Sequence, residues 1–417
     1  MTLTAFFSDL AAYLQSPELL LLAPHPNCPT AFTRQRKLPL PALIALMLTG
    51  MRKSVQSELD EFFAHLNQQA QLMHVVSAQA FAQARAKLSL TVIPLLNDWV
   101  IKRAEHYGAT PLWHGLRLVA ADASTVRFGL RASHVKRAAL ADQIAFGLFL
   151  PGSELILAAS LHSVHENERQ ILFENLDRIS SSDLLLLDRG YPCRWLVAVL
   201  NQRKIPFCMR VDKSSNSGFA CVRDFMRSGL NEQIVTLRAP DHRDVRDYEC
   251  PGEPQTVRLI RQVAPNGQVR VLMTNLFDAV RFPASQFGDL YHQRWRIEEA
   301  FKRLKHRLNL EHVTGLSQQA VVQDVAAKVL CDNLQMLTSL AAHDNAELPE
   351  SDRLNHAYVH TALKPLLPAL LLGKKVVKLL AHLLKMIARQ TYRHRENLSK
   401  PRKSHPKPHK PMTQKNC

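Results

Sequence analysis

The sequence predicts a mixed α/β protein: hydrophobic strands alternating with helices, a β-rich insertion, and helical regions on both flanks. Three observations predict it. The segment DLLLL, 183–187, carries four successive leucines, the pattern of a strand buried on both faces at the parallel centre of an α/β sheet. Strand and helix patterns alternate around it, the order expected of a mixed α/β domain. Before residue 105 and after residue 317 the hydrophobic period becomes helical.

The elements follow in chain order. Residues 1–105 form a helical region. Pro41–Gly50 is an apolar helix with Pro near its start. Ser54 caps a helix carrying Val55, Leu59, Phe62 and Phe63 on one side, and Ser77 caps another with Phe81, Ala84 and Leu88 inward. This last helix also carries Gln79, Gln83, Arg85 and Lys87, residue types that contact bases and phosphates. With the basic cluster RQRK at 34–37, the region fits a helix-turn-helix-like DNA-binding unit; a plain helical bundle fits the same pattern. Strands are expected at 116–122, 144–150, 155–164, 183–187 and 204–211, with a helix over 166–179 and another opened by Pro192. Residues 111–211 and 286–316 thus form the α/β core. Residues 212–285 hold short strands at 234–237, 256–263 and 269–274, with Asn266-Gly267 as a hairpin turn. Residues 317–392 return to helix. From 393 to 417 Lys, Arg and Pro predominate, which predicts a disordered cationic tail.

Composition narrows the function. For 417 residues, roughly 150 per domain gives two or three domains. Lys and Arg total 53 against 36 Asp and Glu, a net charge of +17, which points to a polyanionic partner. The seven cysteines show no C-x-x-C spacing, which argues against a structural zinc site or a disulfide framework and suits a reducing cytosol. Asp9 interrupts the apolar start, against a secretory signal, and Lys374, Lys375 and Lys378 break the apolar run 366–384, against a membrane span. HENER, 165–169, ends in Arg169 and is not the H-E-x-x-H zinc motif. No G-x-x-x-x-G-K-[ST] loop supports ATP chemistry.

Two acids stand out at strand ends. Asp122 closes LRLVAAD and Asp188 closes DLLLLD, whereas Asp183 begins its strand and belongs at the far edge. Ligands gather at the carboxyl ends of strands in α/β sheets. A third acid lies in YHQRWRIEEAFKRLK, 291–305. At 100° per residue, Tyr291 falls roughly 20° from Glu298, Arg294 roughly 40° and Lys305 roughly 20°. Ile297, Phe301, Leu304 and Leu308 form a buried stripe that leaves Glu298 at its edge and Glu299 in solvent. Spacing alone also permits an ordinary surface helix with Glu/Lys pairs. Three carboxylates without sulfur or His ligands select Mg²⁺ or Mn²⁺, and two such ions about 3.5–4 Å apart suit phosphodiester chemistry.

The set Asp122 in ADAST, Asp188 in DRGY, and Tyr291, Arg294, Glu298 and Lys305 resembles the DDE transposases of bacterial insertion sequences. It is similar specifically to the insertion-sequence-four family, whose signature Y-x2-R-x3-E-x6-K matches without a gap. The N-terminal segments FTRQRKLPLPALIAL and VSAQAFAQARAKLS resemble that family's DNA-end-binding region, and the likeness spans about residues 30 to 320. The resemblance implies an RNase H-like core holding two Mg²⁺ ions, with Mn²⁺ as substitute, through Asp122, Asp188 and Glu298. It implies cleavage at inverted-repeat ends of double-stranded DNA and transfer of the 3′-hydroxyls to target DNA. It also implies a homodimer, with no membrane, in the bacterial cytoplasm at the nucleoid. Tyr291, Arg294 and Lys305 would position phosphates; Arg189, Arg85 and Lys87 are further candidate DNA contacts. Some relatives open a hairpin by stacking a flipped base on a Trp of the insertion. Here the tryptophans are 99, 113, 195 and 295, none within 212–285, leaving Tyr248, Phe219 or Phe225 as substitutes. Two other function classes remain open on sequence: a nuclease or resolvase that cuts without joining, and a domesticated DNA-binding protein that keeps the fold.

Overall fold

The computed structural model describes residues 2–34, 36–128, 138–211, 219–263, 267–349, 351–374 and 376–393. The cationic tail from 394 onward, Gln35 of the basic cluster and Asn266 of the expected hairpin turn lie outside them. The chain divides into two compact units. One comprises residues 1–109, 126–143 and 302–417; the other comprises 110–125 and 144–301. The N- and C-terminal helical regions, separate in the sequence reading, thus belong to a single unit. Among the described residues no helix is long and apolar enough to cross a membrane.

The second unit is built on a mixed sheet. Its strands are β1 (Leu112–Trp113), β2 (Leu116–Arg127), β3 (Asp142–Leu150), β4 (Leu155–Ser163), β5 (Asp183–Leu187), β6 (Phe207–Arg210), β7 (Glu232–Leu237), β8 (Gln255–Val263) and β9 (Val269–Thr274). The order is β4-β3-β2-β5-β6-β9-β8-β7, with β1 paired to β2. Every residue of β5 is buried, as its leucine run predicts. It lies parallel to both β2 and β6. The helix Arg194–Gln202 makes the crossover from β5 to β6, which parallel neighbours require. The four-residue turn 151–154 makes β3 and β4 an antiparallel hairpin. A hairpin leading into a parallel centre is the mixed sheet expected of an RNase H-like core. The segment read as an insertion does not form a separate sheet: β9 pairs antiparallel with β6, and β7, β8 and β9 extend the same sheet. It also contains two short helices, Ala220–Ser228 and His242–Asp247.

One expected boundary is wrong. β2 does not end at Asp122 but runs on to Arg127. Asp122 nevertheless reaches an edge, because its neighbour β5 stops at Leu187 and the 188–191 turn follows.

The other unit is helical. Ser54 and Ser77 cap their helices as predicted, accepting hydrogen bonds from the Ser57 and Ala80 amides at 3.3 and 3.2 Å. The helix Gln318–Asn345 is buried along most of its length and forms the unit's centre. Its polar residues are matched by partners, as burial demands: Asp332 accepts from Arg303 at 3.0 Å, and Asp324 pairs with Arg85 at 3.1 Å. Leu370, Leu371 and Leu380 are core residues, while Val377 is exposed. The two-stranded ladder Asp352–Leu354 with Thr391–Arg393 was not expected from the helical pattern.

Candidate active site

The acidic site is assembled from sheet register. β2 and β5 pair with Arg117 opposite Asp183 through Ala120 opposite Leu186. The same offset, continued two residues, sets Asp122 beside Asp188 on strands that run about 4.8 Å apart. The register is anchored at the other end. Asp183 is fully buried and accepts from Arg117 Nε at 2.6 Å and Nη2 at 2.9 Å. Asp183 thus sits at the far edge, as the sequence predicted, and serves the sheet.

Each aspartate is held by a backbone amide. Ala123 N–H donates to Asp122 Oδ1 at 3.0 Å, and Gly190 N–H donates to Asp188 Oδ1 at 2.7 Å. The glycine of DRGY has a steric reason. A Cβ at Gly190 would lie 3.0 Å from Asp188 Oδ1, closer than nearly all real contacts of that kind.

The expected single helix over 291–305 is segmented. It comprises α-helix Phe287–His292, a 3₁₀ turn Gln293–Trp295, α-helix Arg296–Lys302 and a π-helical turn Arg303–Arg307. Changes of pitch of this kind often mark functional sites. The apolar stripe holds: Ile297, Phe301, Leu304 and Leu308 are buried, Glu298 is half-buried and Glu299 is exposed. Glu298 is positioned from two sides. Gly147 of β3 lacks the side chain that would crowd Phe301, since a Cβ there would lie 3.3 Å from the Phe301 ring. Arg296 Nη1 donates to the Pro151 carbonyl at 2.9 Å. Upstream, buried Arg258 of β8 donates to the carbonyls of Phe282 (2.8 Å) and Leu276 (3.2 Å), fixing the segment that leads into Phe287.

Arg294 ties the third acid to the first. Its guanidinium lies 3.4 Å from Glu298 Oε1 and 4.0 Å from Asp122 Oδ2, and the residue is only 5% exposed. Burial pushes the Asp122 carboxyl up to about 6; Arg294 and the Ala123 amide oppose this, while Asp188 and Glu298 add to it. For Arg294 burial acts downward, yet Tyr291, Asp122, Asp188 and Glu298 together raise it. The Arg294 guanidinium also lies over the Tyr291 ring, 5.9 Å from its centroid.

The remaining candidates divide by exposure. Arg189 is exposed beside Asp188, and Lys87 is exposed in the helical unit. Lys305 falls in the π-helical turn and is half-buried. Tyr291 is 4% exposed, and burial raises its phenol above the ordinary range. Arg85 corrects the sequence expectation. It is 4% exposed, ion-paired with Asp324, and donates to Gln323, Thr314 and the Ala320 carbonyl. A guanidinium so enclosed holds the helical unit together and does not face DNA. Of the aromatic substitutes, Phe225 is buried, and one face of Tyr248 is covered by Trp195 at 3.6 Å and 2°.

Two residues near the acids escaped the sequence reading. Tyr191 of DRGY is fully buried, and its hydroxyl has no hydrogen-bond partner among the described residues. Glu168 of HENER opens the helix Glu168–Glu174, capped by Asn167, which accepts from the Arg169 amide at 2.9 Å. Among the described residues, the one group of three ligand-type side chains converging within 4.8 Å is His162, Glu166 and Glu174. There His162 Nδ1 already lies 2.9 Å from Glu166 Oε2.

Known proteins resemble this chain in sequence and in fold. The Transposase DDE domain family matches residues 113–334. The transposase InsG for insertion sequence element IS4 of Escherichia coli K12 is 24% identical over 319 residues, covering 73% of this chain and 71% of its own. A cryo-EM structure of the piggyBac transposase synaptic complex with hairpin DNA aligns with a TM-score of 0.42 at 10% identity, covering 92% of this chain and 84% of that one. With 222 of its 417 residues in the matched domain, counted from 113 to 334, the chain belongs to the DDE transposase family.

Proposed function

We propose that Asp122, Asp188 and Glu298 are the catalytic and metal-holding carboxylates of this transposase. Two Mg²⁺ ions would be the cofactor, with Mn²⁺ as substitute. The substrates would be the inverted-repeat ends of its element and a target duplex. The observation that carries this reading is the shared register of Asp122 and Asp188, with Glu298 linked to Asp122 through Arg294.

The donor set fits such ions. All three ligating groups are hard oxygens, and their combined charge calls for a cation. Arg294 lies near two of them as a fixed positive charge and offsets part of their repulsion. Held by these carboxylates, Mg²⁺ would lower the pKa of an attacking water or 3′-hydroxyl and stabilise the leaving oxygen of the phosphodiester.

The chain's own residues do the rest. The amides of Ala123 and Gly190 hold one oxygen of each aspartate and leave the other for the cation. Asp122, held up to about 6, must shed its proton before it serves as a ligand. Arg294 acts through the acids: its charge opposes the burial that raises Asp122, its guanidinium lies 3.4 Å from Glu298, and Tyr291 backs it. Direct phosphate contact falls to the exposed Arg189 and to Lys305 and Lys87, and the net charge of +17 steers DNA to the protein. Processing two ends together calls for two copies of the chain.

The test uses pre-cut ends made from the inverted repeats flanking the gene, a target plasmid and Mg²⁺. Wild type is expected to give joined product. Asp122→Ala, Asp188→Ala and Glu298→Ala are each expected to give none while still shifting the end DNA in a gel. Cleavage without joining would make the protein a nuclease instead. Joining by Glu298→Ala would remove Glu298 from the ligand set.

A further inference from the structure

The net charge of the protein is unevenly divided. Residues 110–125 and 144–301, the sheet unit, hold 20 Lys and Arg against 20 Asp and Glu, so the whole excess of +17 belongs to the helical unit. Within that unit the stretch 353–395 contains nine Lys and Arg and no Asp or Glu. Helix Val377–Ala388 lies in this stretch.

The helix has two opposite faces. Leu380, Leu383, Leu384 and Ile387 are buried, and the helix packs on the central helix Gln318–Asn345. Lys378, His382 and Lys385, with Arg389 at the C-cap, recur at spacings of four, three and four, and all four are exposed. At 100° per residue their mean direction is roughly 180° from that of the buried residues. Among the described residues none of the four side chains has an ion-pair or hydrogen-bond partner. Other cations of the unit are matched: Lys364 lies 2.6 Å from Glu58, and Arg303 lies 3.0 Å from Asp332.

Folding alone does not call for this stripe. The helix dipole favours cations in the last turn, beside Lys385 and Arg389, but not in the first, where Lys378 sits. Like charges at i and i+4, as at Lys385 and Arg389, weaken a helix. A polyanion laid along the face would reverse both effects. The stripe spans about 16 Å of helix, over which duplex DNA carries about ten phosphates. A cationic amphipathic helix can also lie on an anionic membrane, but only by burying its apolar face in lipid. Here the core already occupies that face.

We propose that the exposed face of helix Val377–Ala388 is a docking surface for the backbone of duplex DNA, held without regard to base sequence. Lys378, Lys385 and Arg389 neutralise phosphates, and His382 donates a hydrogen bond from a ring N–H. The surface supplies affinity and takes no part in the reaction. The inference rests on DNA being the substrate, as proposed above, and adds where the helical unit holds it.

The experiment measures binding of the full chain to a fluorescein-labelled duplex of arbitrary sequence, by anisotropy over a series of KCl concentrations. It compares wild type with the stripe variant Lys378→Gln/Lys385→Gln/Arg389→Gln. A control, Arg227→Gln/Arg238→Gln/Arg243→Gln, removes the same charge from exposed positions of the sheet unit. Thermal melting establishes that each variant is folded. The slope of log K against log salt is expected to be shallower by about 2 to 3 in the stripe variant, with the control like wild type. A wild-type slope in the stripe variant would overturn the inference. So would an equal change in variant and control, which would assign the effect to net charge. Loss of sedimentation with phosphatidylserine vesicles at an unchanged duplex slope would give the face to a membrane and overturn it as well. Wild type without salt-dependent duplex binding would instead remove DNA as the substrate, and this inference with it.

Discussion

Arg117 of β2 and the fully buried Asp183 of β5 are register partners joined by an ion pair, and their offset, continued five residues past the end of β5, sets Asp188 opposite Asp122. A one-residue slip would turn one aspartate to the other face of the sheet. The pair at the far edge therefore fixes the register on which the proposed Asp122–Asp188 pair depends.

Arg117→Ala takes from the fully buried Asp183 carboxylate its charged donor and leaves the Ser180 amide and hydroxyl, at 2.8 and 3.1 Å. Removing one partner of a buried ion pair costs about 3–5 kcal/mol. Urea denaturation should show a loss of that order, and the Arg117→Met/Asp183→Leu double variant should recover part of it. A loss near zero in the single variant would deny the pair its anchoring role.

The Asp122 carboxyl, raised to about 6 chiefly by burial, sets two pH effects. The folded chain holds this proton at a pH where the unfolded chain has released it. Stability from this group therefore falls as pH rises from about 4 to 6. Without divalent metal, Asp122→Asn should be more stable than wild type at pH 8 by up to about 3 kcal/mol and equal to it near pH 4. Strand transfer by wild type should decline below about pH 6, and more Mg²⁺ should move the decline to lower pH, because proton and cation compete for the same oxygens.

Arg294→Met removes the largest influence holding Asp122 down. The activity profile should move to higher pH, with Arg294→Lys between the variant and wild type, since an ammonium restores charge without the fork that reaches both acids. Equal loss of activity at every pH, with no displacement of the profile, would assign Arg294 a purely structural part.

Tyr191→Phe deletes a buried hydroxyl that has no partner among the described residues and keeps the ring. Thermal melting of the metal-free protein should show a gain of about 1 kcal/mol. A loss of similar size would mean that the hydroxyl is already bonded in the resting protein.

His360 gives the helical unit an acid limit. Burial first, then the charges of Arg52 and Lys364, hold its imidazole down at about 4, and its Nδ1 lies 2.8 Å from Gln335 Nε2. The folded state keeps His360 neutral where the unfolded chain is protonated. Its contribution is full above about pH 6.5 and is lost as pH falls to about 4, by up to about 3 kcal/mol. His360→Gln should flatten that part of the stability profile in urea titrations at pH 7 and 4.5. An identical slope in wild type and variant would place the acid sensitivity elsewhere, for example at Glu58 with Lys364.

Much of this was legible in the chain because it depends on local chemistry. Ser54 and Ser77 cap through their own hydroxyls within three residues. The leucines of 183–187 specify a two-face-buried strand, and Asp183 and Asp188 fall at its opposite ends by counting. Glu298 was separated from Glu299 by a period that survives locally, even though the helix around it changes pitch three times. The errors involve partners far along the chain. Arg85 carries the side chain of a DNA contact, but Asp324 and Thr314 enclose it from more than 200 residues away. Asp122 looked like a strand terminus because its hydrophobic run stops there, while β2 continues through Ala123, Ser124, Thr125 and the buried Val126 to Arg127.

The sequence by itself determined which acids are candidates, the order of the elements and the kind of metal that three carboxylates favour. Those properties reside in residue type and spacing. Tertiary structure decided the strand register that, continued, sets Asp122 opposite Asp188, and the placement of Arg294 between Asp122 and Glu298. Each of these depends on burial and on charges brought together from distant segments, and burial sets the cost of a charge only once the chain has folded around it.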